Sequence, residues 1–290
     1  MVNSGHITNE GLELTGKFYV LQNTPLKWNI DANISFNRNR IGGLKADQFA
    51  QKLWSSADEV FIQRNGCPIG AIYGYVEDGF YDNLAEVMAS PSADIRAKGA
   101  GMIGEIKYRN FDDNPDITSA DRVIIGDTNP VYGLTSNFEW KGVTLSFFLQ
   151  GSQGNDIFNG NLMDMKMGNV GNITREAYNT RWTEANATQA KWPKAVSGYE
   201  RNMLISNRYV EDGSYLKLKS LNIGYVWKPN FKGISNVNVY ASATNLFTIT
   251  GYSWFDPEVN AFGSDASRRG VDVYSYPSSR TFSLGIKVDF

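Results

Sequence analysis

From Thr281 to Phe290 every second residue is apolar: Phe282, Leu284, Ile286, Val288 and Phe290, separated by Thr281, Ser283, Gly285, Lys287 and Asp289. Side chains of a strand alternate between its faces, so this segment has one greasy face and one polar face. A tilted strand crosses the hydrocarbon layer of a bilayer in roughly 9–11 residues, which is the length seen here. Taken alone, the segment would serve equally as an amphipathic strand of a soluble sandwich.

The same alternation recurs upstream. Gly11 to Leu21 sets Leu12, Leu14, Phe18 and Val20 against Glu13, Thr15, Lys17 and Tyr19, and after the turn Asn23-Thr24-Pro25 the segment from Lys27 to Asn37 sets Trp28, Ile30, Ala32, Ile34 and Phe36 against polar neighbours. These two predict an antiparallel hairpin with aromatics at both ends of an apolar row. Val131–Trp140 and Val143–Gln150 predict a second hairpin about Lys141-Gly142, and Ser214–Trp227 and Val237–Phe247 predict two further strands. Between them lie long stretches without strand period. Residues 42–68 read as helical or irregular, 69–81 as Gly-rich β structure, and 84–98 as short helical turns after the capping pair Asp82-Asn83. Residues 103–108 read as a short strand, and 151–206 as a long polar excursion containing a helix near Arg175–Trp182. About eight to ten strands are expected. Short turns on one side and long connections on the other are the pattern of a membrane barrel.

Composition adds exclusions. The 28 basic and 30 acidic residues nearly cancel, so no global pull toward nucleic acid is expected. No apolar run reaches the roughly 18 residues of a helical span. Fifteen Tyr, 16 Phe, 7 Trp and 28 Gly favour turn-rich β structure. Cys67 is the sole cysteine, which excludes an internal disulfide and a thiolate zinc cluster, and the lone His6 has no triad or metal partner. No carboxylate pair is set apart as an acid/base couple, so an enzyme is not expected. Met1 to Gly5 carries neither a basic nor an apolar region of an export signal.

Three blocks go beyond pattern: Glu211-Asp212-Gly213-Ser214-Tyr215-Leu216-Lys217-Leu218-Lys219 with Leu221 to Tyr225, Asn245-Leu246-Phe247-Thr248 with Gly251-Tyr252 and Asp256-Pro257-Glu258-Val259, and Tyr276-Pro277 with Arg280 to Gly285 and Phe290. As a set they resemble the SusC/RagA-type TonB-dependent outer-membrane transporters of Bacteroidota. Weaker echoes occur in family order along nearly the whole chain, among them Asn9 to Leu14, Gly74-Tyr75 and Arg181-Trp182-Thr183. The resemblance implies an all-β fold, an antiparallel transmembrane barrel sector from the C-terminal part of a 22-stranded barrel, with long extracellular loops and an open curved sheet. On this expectation residues 1–290 are barrel throughout, and plug, TonB box and signal peptide lie outside them. The implied function is a share in TonB-dependent uptake of glycans or peptides. The implied partners are a SusD-like lipoprotein, the TonB complex through segments outside these residues, and the barrel-assembly machinery, which would read Phe282, Leu284, Ile286, Val288 and Phe290. The alternative is a soluble, secreted, carbohydrate-binding β-sandwich, in which the apolar rows face one another.

Two further sets of residues are candidate sites. Asn110, Asp112, Asn114, Asp116 and Asp121 place oxygens at positions 1, 3, 5, 7 and 12 of a calcium-loop register, a candidate Ca²⁺ site. Asn110 replaces the usual Asp, Pro115 the turn glycine and Asp121 the bidentate Glu, so a solvated acidic turn is the competing reading. Trp54, Trp182, Trp192 and Trp254 fall in loops. There they could stack on cargo, or simply pack the loops.

Overall fold

The computed structural model describes residues 5–49, 59–126, 131–167, 172–196, 200–230 and 233–290. Seven long strands form one antiparallel sheet: β1 (His6–Leu21), β2 (Leu26–Gly42), β3 (Val131–Trp140), β4 (Val143–Ser152), β5 (Tyr215–Trp227), β6 (Asn236–Thr250) and β7 (Thr281–Asp289). Each pairs with its neighbours in chain order, and β1 and β7 are the two open edges. The sheet is therefore a wall sector and not a closed barrel. The strands are longer than the sequence pattern suggests at their upper ends, because β1 and β2 stay paired as far as His6 and Gly42, beyond the last alternating apolar pair.

The register carries the apolar rows into line. Leu12 faces Phe36, Leu14 faces Ile34 and Phe18 faces Ile30; Ala32 faces Leu134 and Trp28 faces Phe138. Phe138 faces Leu145 and Leu134 faces Leu149, Leu145 then faces Ile223, Ile223 faces Ala241, and Ala241 faces Leu284. Directly opposed residues of an antiparallel pair point to the same side. One apolar face thus runs unbroken from β1 to β7. A bulge at Lys219 shifts the phase of β5, so Leu216 and Leu218 below it and Leu221, Ile223 and Tyr225 above it all join the same face.

The connections at one end are short, residues 22–25, 141–142 and 228–235, and those at the other are long, residues 43–130, 153–214 and 251–280. The long ones are not separate loops. Residues Val60, Phe61, Ile72, Tyr75, Ile106 and Tyr108 of the first, Phe158, Leu162, Met163, Ala177, Trp192, Ile205 and Tyr209 of the second, and Val271 of the third form a single buried core. The strand Asp156–Asn159 pairs antiparallel with Val210–Asp212 and parallel with Val271–Asp272, tying the second excursion to the third. Tyr75 donates to Ile205 O at 2.8 Å and accepts from Asn207 N at 3.0 Å, tying the first to the second. That approach leaves no room for a side chain at Gly74, whose Cβ would lie 2.5 Å from Ile205 O. Glu77 and Arg208 reinforce the seam, with Arg208 Nε donating to Glu77 Oε1 at 2.7 Å.

Residues 42–68, expected to be helical or irregular, contain short strands at Gln48–Phe49 and Phe61–Gln63 within a small sheet that also includes Ala71–Gly74 and Val123–Gly126. No helix lies there among the described residues. Too few alternating residues occur at each site to show the period; pairing with distant segments makes them strands. The 69–81 stretch splits into Ala71–Gly74 and Glu77–Phe80, which belong to different sheets. Helical turns appear where expected: α1 (Leu84–Met88), capped by Asn83, α2 (Ala93–Lys98) and, after α3 (Gly160–Met167), α4 (Arg175–Thr180).

Candidate functional site

The outward face is the first candidate. Leu284 is 88% exposed and Phe282, Ile286 and Phe290 are likewise exposed, as are Leu12, Leu14, Phe18, Ile223 and Ile249 on other strands. No second sheet covers these rows among the described residues, so the sandwich reading loses its defining feature. An apolar surface of this extent exceeds what soluble proteins leave to water and marks a lipid or protein contact. Aromatic side chains rim it. Trp28, stacked on Phe138 at 5.3 Å, lies with Trp140, Tyr225 and Trp227 toward the short turns, and Phe36 and Phe247 lie toward the long connections. Such belts suit the two membrane interfaces. The opposite face is polar, with Asn137 Nδ2 donating to Asn29 Oδ1 at 2.9 Å and Lys17 lying 3.6 Å from Asp31. No described helix is long and apolar enough to cross a membrane; crossing here belongs to strands.

The second candidate was not visible as a site in the sequence. Lys217 and Lys219 reach from the polar face of β5 to the third excursion. Lys217 Nζ donates to Asp256 Oδ1 at 2.9 Å and also to Glu258, and Lys219 Nζ lies 2.9 Å from both oxygens of Glu258. Tyr215 Oη and Gln150 Nε2 add bonds to Glu258 Oε1 at 3.2 and 3.3 Å. Burial opposes ionisation of Asp256, yet Lys217, Ser278 and the Glu258 amide together lower its carboxyl to about 2. For Glu258, too, burial is outweighed, by Lys217 and Lys219, and its pKa is lowered. Nearby, Glu211 accepts from Ser253 N at 2.9 Å and from Asn159 Nδ2 at 2.8 Å. The two blocks Glu211–Lys219 and Asp256–Val259, far apart in sequence, therefore form one anchor. The available signal was the i, i+2 spacing of both the lysines and the carboxylates, which puts each pair on one side of an extended segment.

The aromatic candidates divide. Trp182 and Trp192 are only 5% and 7% exposed. Trp182 Nε1 donates to Asp82 Oδ1 at 2.8 Å, and Trp192 belongs to the core shared by the three excursions. Both rings are buried and pack the loops in this structure. Trp254 is half-buried, edge-on to the exposed Phe255 at 5.3 Å. Trp54 lies outside the described residues.

The calcium-register loop uses its oxygens on itself. Asn110 Oδ1 accepts from Asp112 N at 3.1 Å, Asp112 Oδ1 from Asn114 N at 2.8 Å, and Asn114 Oδ1 from Asp116 N at 3.0 Å. Asp116 accepts from Ser92 Oγ at 2.5 Å. Asp121 is fully buried, with one oxygen accepting from Phe111 N at 2.7 Å and the other from Thr118 N at 2.8 Å. Among the described residues no group of three His, Cys, Asp or Glu side chains is arranged to hold a metal ion. The loop closes as a series of Asx turns capped by Asp121.

No protein-family model matches the chain. The TonB-dependent receptor P3 of Formosa agariphila is 33% identical to it over 306 residues, which is 99% of this chain and 29% of that protein. The TonB-dependent receptor SusC of Bacteroides thetaiotaomicron is 26% identical over 99% of this chain and 27% of that protein. Over nearly its whole length the chain is similar to TonB-dependent receptors, SusC among them. It spans under a third of the length of these relatives. Its fold is that of the RagAB peptide importer, with a TM-score of 0.72 to the open-open state and 0.70 to the closed-closed state, at 21% and 22% identity. Each superposition covers 99% of this chain and about 30% of that structure. The seven strands therefore share the fold of part of that importer.

Proposed function

We propose that the chain supplies wall and extracellular mouth to an outer-membrane importer of large nutrients, either glycans or peptides, energised through TonB. The observation that carries this reading is the single apolar face extending across seven strands, with all three long excursions gathered at one end. The likeness to SusC supports a TonB-dependent receptor, and the likeness in fold to the RagAB peptide importer supports peptides as one cargo class. A SusD-like lipoprotein would close over the fused loops. TonB would act through segments other than this wall. The row Phe282, Leu284, Ile286, Val288 and Phe290 would be read by the barrel-assembly machinery. On this reading the chain is one part of a machine that moves cargo, does not transport alone, and catalyses no reaction.

Uptake of labelled oligosaccharides and oligopeptides by cells carrying the intact protein tests the function. Uptake should disappear both on deleting the protein and on collapsing the proton gradient. Extraction of the protein from membranes by alkaline carbonate would count against the reading. Phe290→Asp should lower the amount in the outer membrane; an unchanged level would remove the assembly role from that strand.

A further inference from the structure

Along the outward rows of the seven strands only Glu10, Arg38 and Arg40 are charged, and all three sit on β1 and β2 at the end of the long connections. Their side of the sheet follows from the register. β2 pairs with β1 without interruption from Asn29 to Gly42, so Arg38 and Arg40 continue the row of Ile30, Ala32, Ile34 and Phe36. Glu10 stands opposite Arg38, and Thr8 opposite Arg40. β3 accompanies β2 only as far as Ser35, which faces Val131. Beyond that point the first excursion runs beside β2, with Ile41 N donating to Cys67 O at 2.9 Å. A strand rises about 3.3 Å per residue, so Arg38 lies about 7 Å and Arg40 about 13 Å past Phe36, the last apolar residue of the row. That is where an apolar band gives way to headgroups.

The chemistry of the two arginines selects an occupant. Both are exposed. Arg40 Nη1 donates to the Gly66 carbonyl, which fixes one arm of the guanidinium and leaves Nε and Nη2 to the surroundings. No ion pair joins Glu10 to Arg38, although the two residues are directly opposed. Two arginines against one carboxylate leave the patch with a surplus of positive charge. A guanidinium fork matches the oxygens of a phosphate, and a long basic side chain at the rim of an apolar surface keeps its stem in hydrocarbon while its head reaches outward. Leu12 and Phe36, opposed to each other just below, are 55% and 46% exposed. We propose that Arg38 and Arg40 form a docking point for the phosphate of an anionic lipid headgroup, in the leaflet on the side of the long connections. A lipid fits better than an acidic protein because the arginines continue the row that meets hydrocarbon, so a phosphate held there keeps its acyl chains against Leu12 and Phe36. The docking point rests on the outward rows meeting lipid and is independent of the cargo.

The test uses the intact protein reconstituted into vesicles of phosphatidylcholine containing a minor share of phosphatidic acid. Lipid retained on the protein after extraction in mild detergent is counted by mass spectrometry. Phosphatidic acid should be enriched over its share of the vesicle, and the double substitution Arg38→Gln with Arg40→Gln should abolish the enrichment. Arg38→Gln alone, which breaks no contact within the protein, should lower it, so the result does not depend on the double variant folding. Lys17→Gln, on the polar face, should leave it unchanged. Enrichment that ignores both arginine variants, or falls equally with Lys17→Gln, would overturn the docking point. Displacement of the lipid by inorganic phosphate at the same concentration would overturn a lipid as occupant, and so would loss of a bound acidic protein in its place. Entry into vesicles without enrichment would sink the docking point alone, whereas failure to enter them at all would sink the importer reading with it.

Discussion

Lys217 projects from a wall strand into a loop carrying two carboxylates, and its side chain is 2% exposed where it meets them. Removing one member of such a buried set leaves the others uncompensated, at a cost of about 3–5 kcal/mol. Lys217→Met should therefore release the third excursion, seen as rapid protease cleavage within 251–280 while the wall stays resistant. Acid should do the same more gradually. The Asp256 carboxyl is lowered from 3.8 to about 2, so its contribution is present above pH 3.8 and is lost as pH falls toward 2. Glu105 has the opposite sign. Burial raises its carboxyl to about 7, against the pull of Asn202, Lys194 and Arg201, so its neutral form suits the fold. The body formed by the three joined excursions, the cap, is then most stable below pH 4.5 with respect to this group, and loses stability as pH rises from 4.5 through 7. Glu105→Gln should abolish that slope and stabilise the cap at pH 8 by about 3 kcal/mol, read from thermal melting at pH 5 and pH 8. Neither group stands out in the sequence, because burial comes from neighbours up to about a hundred residues away.

At the level of single elements, β7 shows how far pattern alone can go. Its alternation predicts a strand, its length predicts a span, and the structure pairs it to β6 with Leu284 opposite Ala241. Leu284 lies mid-row on the lipid side, where a cation is expensive. Leu284→Arg should cost about 2–4 kcal/mol, falling to about 0–1 kcal/mol for Val288→Arg near the interface. Refolding titrations into vesicles would measure both, and equal costs would argue against a depth-dependent lipid contact. Gly285 on the polar side is legible only afterwards. A Cβ there would lie 2.3 Å from the ring of Tyr240, so the glycine accommodates a cross-strand aromatic. Of the short strands of the excursions, Ala71–Gly74, Glu77–Phe80 and Ile106–Tyr108 lie in stretches that read as β, whereas the others were not legible, since strands of two to four residues carry no readable period.

For the molecule as a whole, the excursions behave as one body. Residues as separate as Phe61, Tyr209 and Val271 share a core, so opening one excursion strips apolar surface from the others. Hydrogen exchange should show the amides of Tyr73, Phe158 and Tyr209 opening together with one free energy, distinct from that of the wall. Three independent rates would mean that the excursions move separately. Lys217→Met should lower protection in residues 251–280 first, because the anchor joins that segment to β5.

The alternation of apolar and polar residues determined the wall strands, the sidedness of their faces and the arrangement of short turns against long connections. These depend on neighbours one or two positions apart, and a period of two is written in the chain itself. Only the tertiary structure decided that the rows would merge into one open face, that the long connections would fuse into a cap, and that Lys217 and Lys219 would meet Asp256 and Glu258. Register, burial and ion pairing are properties of residues that become neighbours only on folding, so no local pattern could contain them.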